Sequence, residues 1–236
     1  MDRWNFYKKN FLKNINNEAK ILVISASLNE IKILKEMGYN NINITYHNDD
    51  DIEILKQQGF KVYKNLFKAD VRNLDFENKS FDYVITNATL HHVDLPHKAV
   101  TEMYRIAKKG VLIIESNDSF LMQAACKLNF AEEFEISSVN PKIKSGGLLD
   151  TGIPNYVYRW NEREIIKLLN SYDPEVINHI KFEYDYDLSS IRSDKYVNRV
   201  LKFIVKIFFY FFKKQQNCLS IFIDLSKIKK REFSKF

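Results

Sequence analysis

Four short apolar runs constrain this chain more than anything else in it. They are Lys20–Ser25 (KILVIS), Ile42–Tyr46 (INITY), Phe81–Thr86 (FDYVIT) and Val111–Glu115 (VLIIE). Segments with apolar residues at helical spacing lie between them. Leu28–Met37 is one and stops before Gly38; Asp51–Gln58 is another, with acids in its first turn. Leu95–Ala107 is a third, with Pro96 in its first turn, where a missing N–H costs nothing. A weaker strand is expected near Asn65–Ala69. This strand–helix alternation predicts an α/β fold around an open, mostly parallel sheet with helices on both faces. Such sheets bind ligands beyond the carboxyl ends of their strands. Ser25–Asn29, His47–Asp50, Asp70–Val71, Asn87–His92 and Glu115–Asp118 are therefore expected around one mouth.

With 236 residues, 45% of them hydrophobic, the chain can bury one sizeable core. The domain expectation is a single unit over 1–236, with 118–176 as a lid or substrate insertion and 193–215 as a basic helical elaboration. The two cysteines, Cys126 and Cys218, make neither a disulfide framework nor a zinc site, which suits a reducing cytoplasm. The first residues lack the apolar core of a signal peptide, and no long uncharged run reads as a membrane span. The net charge of +6 is uneven, because Arg192–Phe236 carries 12 Lys/Arg against 3 Asp/Glu. The remaining chain is acidic, which argues against nucleic acid as a ligand of the mouth.

From roughly Lys20 to Lys227 the chain resembles the class I S-adenosylmethionine-dependent methyltransferases. The similarity lies in ADVRNLDFENKSFDYV, the LHHV after the FDYVIT strand, EMYRIAKKG and VLIIESND. Gly146–Glu164 and Asn217–Lys227 resemble a bacterial branch of these enzymes found among surface-polysaccharide genes. The resemblance implies a Rossmann-like, seven-stranded sheet whose last strand, Cys218–Asp224, is antiparallel. It implies S-adenosylmethionine as cofactor, and a sugar, nucleotide sugar or phosphorus-linked decoration as acceptor. Asp70 stands where the family's acid accepts from the adenine amino group, with Val71 beside the ring. Asn48 or Asp49 would hold the ribose, and Asn87 lies at the same mouth.

The family's glycine loop is missing. The chain reads Val23-Ile24-Ser25-Ala26-Ser27-Leu28-Asn29 where the family has an acid and three glycines. Ser25 and Ser27 are small enough to allow close approach, and Glu30 is a candidate for the missing acid. The competing reading leaves Glu30 as a solvent-facing residue in a first helical turn.

His91 and His92 are the candidates for a base, since imidazole titrates near neutrality. Asn117, Asp118, Asn155, Tyr156, Tyr158 and Arg159 are candidates to hold a polar acceptor, and Gly146 with Gly147 a lid hinge. HHVD with His97 matches no standard metal spacing, and no metal is expected.

Over Ser193–Gln215, Lys195, Arg199, Lys202, Lys206 and Lys213 form one narrow basic stripe on a largely apolar helix. A helix lying in a membrane surface fits this, which would make the protein peripheral to the inner membrane. Packing on the sheet or on a second subunit, as in a homodimer, is the competing reading. The narrowness of the polar face favours it.

Overall fold

A computed structural model describes residues 3–47, 53, 65–136, 139, 146–188 and 196–228. The strands are β1 (Ile21–Ile24), β2 (Ile42–Tyr46), β3 (Leu66–Lys68), β4 (Phe81–Asn87), β5 (Ala107–Ser116), β6 (Ile180–Asp185) and β7 (Cys218–Asp224). They form one sheet in the order β3-β2-β1-β4-β5-β7-β6. β1 to β5 pair in parallel, and β7 runs antiparallel between β5 and β6. This is the expected α/β sheet with an antiparallel last strand. The strand order reverses between β1 and β4, which opens a crevice there.

The helices are α1 (Arg3–Asn14), α2 (Leu28–Glu36), α3 (Pro96–Ile106), α4 (Phe120–Lys127), α5 (Glu162–Tyr172) and α6 (Tyr196–Phe211). They explain why β1 and the Val111–Ile114 stretch of β5 are apolar at every position. Along β1, Leu22 and Ile24 enter one core with α3 and α5, while Ile21 and Val23 enter a second core with α1 and α2. β5 divides in the same way, Val111 and Ile113 against Leu112 and Ile114. A strand covered on both faces cannot alternate apolar with polar.

The sequence did not reveal α1. It buries Phe6, Tyr7, Asn10 and Phe11, a narrow stripe between lysines. The helix expected over 51–58 lies outside the described residues except for Glu53, which is helical.

Two expectations about the basic helix change. It ends at Phe211, where Phe212 leaves helical geometry (φ −118°, ψ 67°) before a short 3-10 turn at Lys213–Gln215. It also does not pack its apolar surface on the sheet. Among its residues with a described side chain, only Phe209 is buried. No helix among the described residues is long and apolar enough to cross a membrane.

Candidate functional site

Beyond the carboxyl ends of β1 to β4 lies a cavity of about 380 Å³. That is the size of a small-molecule pocket. Ile24 and Ser25 line it after β1, His47 after β2, Asp70 and Val71 after β3, and Thr89 and His92 after β4. Gly146, Gly147 and Leu149 close it from the segment following α4.

Two backbone features shape the floor. Ser25 (φ 51°) and Ala88 (φ 53°) both adopt the left-handed conformation as the chain leaves β1 and β4. Each costs about 1–2 kcal/mol in a residue with a Cβ. Ser25 thus makes the turn without glycine, its N–H donating to Thr45 O at 2.8 Å. Ser27 then caps α2, its hydroxyl accepting from Glu30 N at 3.2 Å. Gly147 (φ 71°) admits no side chain, since a Cβ there would stand 2.0 Å from Ile153 O.

The histidine pair sits in a 3-10 turn, Leu90–His92, and its two members have different surroundings. His91 is buried, and its Nδ1 lies 2.8 Å from Glu115 Oε2. Glu115, at the end of β5, is fully covered, and its Oε1 accepts from the N–H groups of Thr89 and Leu90, each at 2.7 Å. Glu135 Oε2 stands 3.6 Å from Nε2 of both histidines. Asn155 donates to His91 O at 2.9 Å and so fixes the covering segment to the pair.

Burial alone would lower the His91 pKa, but the Glu115 and Glu135 carboxylates raise it to about 9. Contact with His91 pulls Glu135 down to about 2, against its own burial. Burial and the charge on His91 hold His92 below the ordinary imidazole value. At neutral pH the pair is thus one cation and one neutral ring, tilted 40° with centroids 4.3 Å apart. The neutral ring is the one on the cavity wall.

His91, His92 and Glu135 are also the one group among the described residues whose ligand atoms, within 4.8 Å of one another, are close enough to share a cation. His97 belongs to a separate cluster, its Nε2 lying 2.8 Å from Glu164 and 3.0 Å from the Tyr158 hydroxyl.

Of the residues expected to hold cofactor, Ser25, Asp70 and Val71 reach the cavity. The Asp70 carboxylate is held by Arg72, whose Nη2 donates to it at 2.6 Å and which in turn pairs with Asp94 at 2.7 Å. Asn48 and Asp49 lie outside the described residues. Ser27, Glu30 and Asn87 stand off the wall.

Glu30 is neither in the cavity nor in solvent. It is 1% exposed, beneath α1. Burial raises its pKa from 4.5 to about 7, although Tyr7, Ser27, Arg3 and Asn87 all favour its ionised form. Between those two values the folded state holds a proton that the unfolded state has lost, so stability falls as pH rises through this window. The displacement from 4.5 to about 7 corresponds to about 3 kcal/mol. The variant Glu30→Gln is expected to flatten this part of the profile, and urea unfolding at pH 5 and pH 8 measures it. An unaltered slope contradicts the assignment.

None of the residues expected to hold the acceptor lines the cavity. Asn117 is a buried tie, its amide donating to Lys214 O at 2.9 Å and Gln216 O at 2.7 Å. Asp118 accepts from Gln123 at 3.2 Å. Asn155 braces His91, and Tyr158 bonds Glu164. Arg159 donates to Glu132 O at 2.6 Å, and the half-exposed Tyr156 packs edge-on against Phe134. Trp160, fully covered, belongs to the core. Sequence reasoning missed Glu115 and Glu135 as partners of the pair. A carboxylate closing the apolar run VLIIE was the available signal, since a buried acid requires a partner.

Comparison with known proteins agrees with this geometry. Residues 26–114 match the family profile described as a methyltransferase domain. A phosphatidylethanolamine N-methyltransferase of Cereibacter sphaeroides is 32% identical over 65 residues, 28% of this chain and 32% of that protein. The match thus spans about a third of the curated relative's length. A SAM-dependent methyltransferase from Archaeoglobus fulgidus superposes with a TM-score of 0.54 at 13% identity, over 93% of each chain. Magnesium protoporphyrin IX methyltransferase from Synechocystis, solved with bound SAH, gives 0.54 at 10% identity, over 93% of this chain and 80% of its own. The chain therefore has the Rossmann-like methyltransferase fold. Its sequence similarity to methyltransferase domains covers the cavity residues His47, Asp70, Val71, Ala88, Thr89 and His92, but not Ser25 or Gly146–Leu149.

Proposed function

We propose that this protein transfers a methyl group from S-adenosylmethionine to a hydroxyl of a small polar acceptor. The observation that carries this reading is a neutral imidazole, His92, on the wall of a cavity at the carboxyl ends of β1 to β4. The residues present suit the cofactor. The cavity has the right scale, Asp70 presents a carboxylate pre-set by Arg72, and Val71 supplies an apolar edge. The cofactor brings a methyl group on a sulfonium, a good leaving group, so the protein has chiefly to align the reactants.

The chain's own residues do the rest. Asp70 and Val71 hold the adenine end, and Ser25 lets the backbone come close. His92 takes the acceptor's proton as the new bond forms. Glu135, 3.6 Å from its Nε2, then stabilises the imidazolium. Glu115 and His91 are positioning residues: they fix the 3-10 turn and keep His92 unprotonated through the charge on His91. Of the segment 118–176, the part around Gly146, Gly147 and Leu149 that closes the cavity acts as the lid, while Trp160 and α5 belong to the core.

The acceptor class, a sugar, nucleotide sugar or phosphorus-linked decoration of a surface polysaccharide, rests on the resemblance of Gly146–Glu164 and Asn217–Lys227 to the glycan-associated branch. The name of the curated relative offers an amine instead, which needs the same alignment and the same base. Incubation with S-adenosylmethionine and a panel of glycan precursors tests the proposal. The expected product carries the mass of one added methylene. A chain that binds cofactor yet methylates no hydroxyl or amine in the panel is instead a methyltransferase-like scaffold, the alternative that the glycine-less loop allows.

A further inference from the structure

The orientation of α6 identifies a second working surface. Lys202, Val205 and Phe209 fall within about 40° of one line and are its covered side. Val200, Phe203, Ile204, Ile207, Tyr210 and Phe211 fall about 100–220° away from Phe209. The apolar face of this helix therefore points straight out of the protein. Phe203 is 64% and Phe211 71% exposed. Arg199 and Lys206 lie on one flank, between the covered side and the apolar face. No Asp or Glu occurs anywhere in 196–217, against five Lys/Arg.

The patch continues onto α4, which buries none of its residues. Its first turn is tied to the end of the basic segment, Ser119 Oγ donating to Gln215 O at 3.1 Å and Leu121 N to Gln215 Oε1 at 3.0 Å. Phe120, 77% exposed, stands at that junction.

We infer that α6 and the start of α4 dock the protein on an anionic lipid surface. In an antiparallel interface with a second copy the basic flank of each helix would meet that of its partner, and 196–217 holds no acid to offset it. A bilayer instead accepts the apolar face into its boundary and pairs the lysines with headgroups. The segment after α4 carries Glu135 and Asn155 against the histidine pair, so docking brings the cavity mouth close to the bilayer. An acceptor whose polar group is anchored in the membrane follows from this. That last step rests on the methyl-transfer reading; the docking does not.

Vesicle flotation with the full chain tests the docking without any assay of activity. Vesicles of equal parts phosphatidylglycerol and phosphatidylcholine are expected to carry the protein, and pure phosphatidylcholine to carry roughly tenfold less or lower. Phe203→Asp with Phe211→Asp should abolish flotation, and Lys206→Glu with Lys213→Glu should weaken it at least ~10-fold. Both variants alter outward-facing residues, so circular dichroism should match the wild type. Flotation that ignores lipid charge and both variants overturns the inference. So does a wild type that fails to float and sediments as a dimer split by the Phe203→Asp, Phe211→Asp variant.

Discussion

Replacing Glu115 with alanine is expected to destabilise the fold by roughly 3–5 kcal/mol, the cost of removing one partner from a buried ion pair. The carboxylate is fully covered and meets three donors: the N–H groups of Thr89 and Leu90 and the ring of His91. Alanine leaves two buried amides and the Nδ1 of the buried His91 ring without a partner at once, and each unmet donor adds its own desolvation cost. For a chain of this length, the loss should lower the melting temperature by roughly 8–15 °C. Glu115→Gln still accepts from the amides and should lose less.

The same pair sets a pH dependence. The His91 pKa is raised in the fold to about 9, so its contribution to stability is complete below the unfolded value of 6.5. It is lost as pH rises through 9. Urea unfolding of wild type and Glu115→Gln across that window checks both statements. A cost under ~1 kcal/mol for Glu115→Ala would show that the pair does not bind the turn to β5.

His92→Ala should lower kcat by about 10²–10⁴, the range that a positioned general base supplies. Cofactor affinity should stay within a few-fold, since the contacts proposed for it are those of Asp70 and Val71. His91→Gln makes a different prediction. It removes the charge that helps hold the His92 pKa down, so the acidic limb of the kcat profile should move to higher pH. A purely structural role for His91 would lower activity without moving the limb. Equal kcat in wild type and His92→Ala would remove the base from the mechanism.

β1 and the Val111–Ile114 stretch of β5 were legible because both of their faces are covered, which writes them as unbroken apolar runs. β6 reads IKFEYD and sits at a sheet edge, where charges are tolerated, so nothing marked it. α1 was hidden for a related reason: four buried residues lie among lysines, with no acid in the first turn. The site was legible by location only. His91 and His92 were placed at the mouth by the end of β4, but their division into a charged positioning ring and a neutral facing ring depends on Glu115 and Glu135. Those two lie 24 and 44 positions beyond His91 in the chain, and no local spacing connects them. Glu30 misled because a first-turn acid ordinarily faces water; α1, unseen in the sequence, covers it. The acceptor candidates do not line the cavity, and Asn, Tyr and Arg serve equally well to fasten a covering segment, as Asn117, Asn155 and Arg159 do here.

The central claim is that a loop without glycine still holds the methyl donor. Isothermal titration of S-adenosylhomocysteine into the full chain tests it most directly. Binding near 1 μM, about −8 kcal/mol, is expected. It should weaken at least ~10-fold in Asp70→Ala, which gives up a charge-assisted contact. No heat and no protection from thermal unfolding at millimolar ligand would contradict it, and would leave the fold without its proposed chemistry.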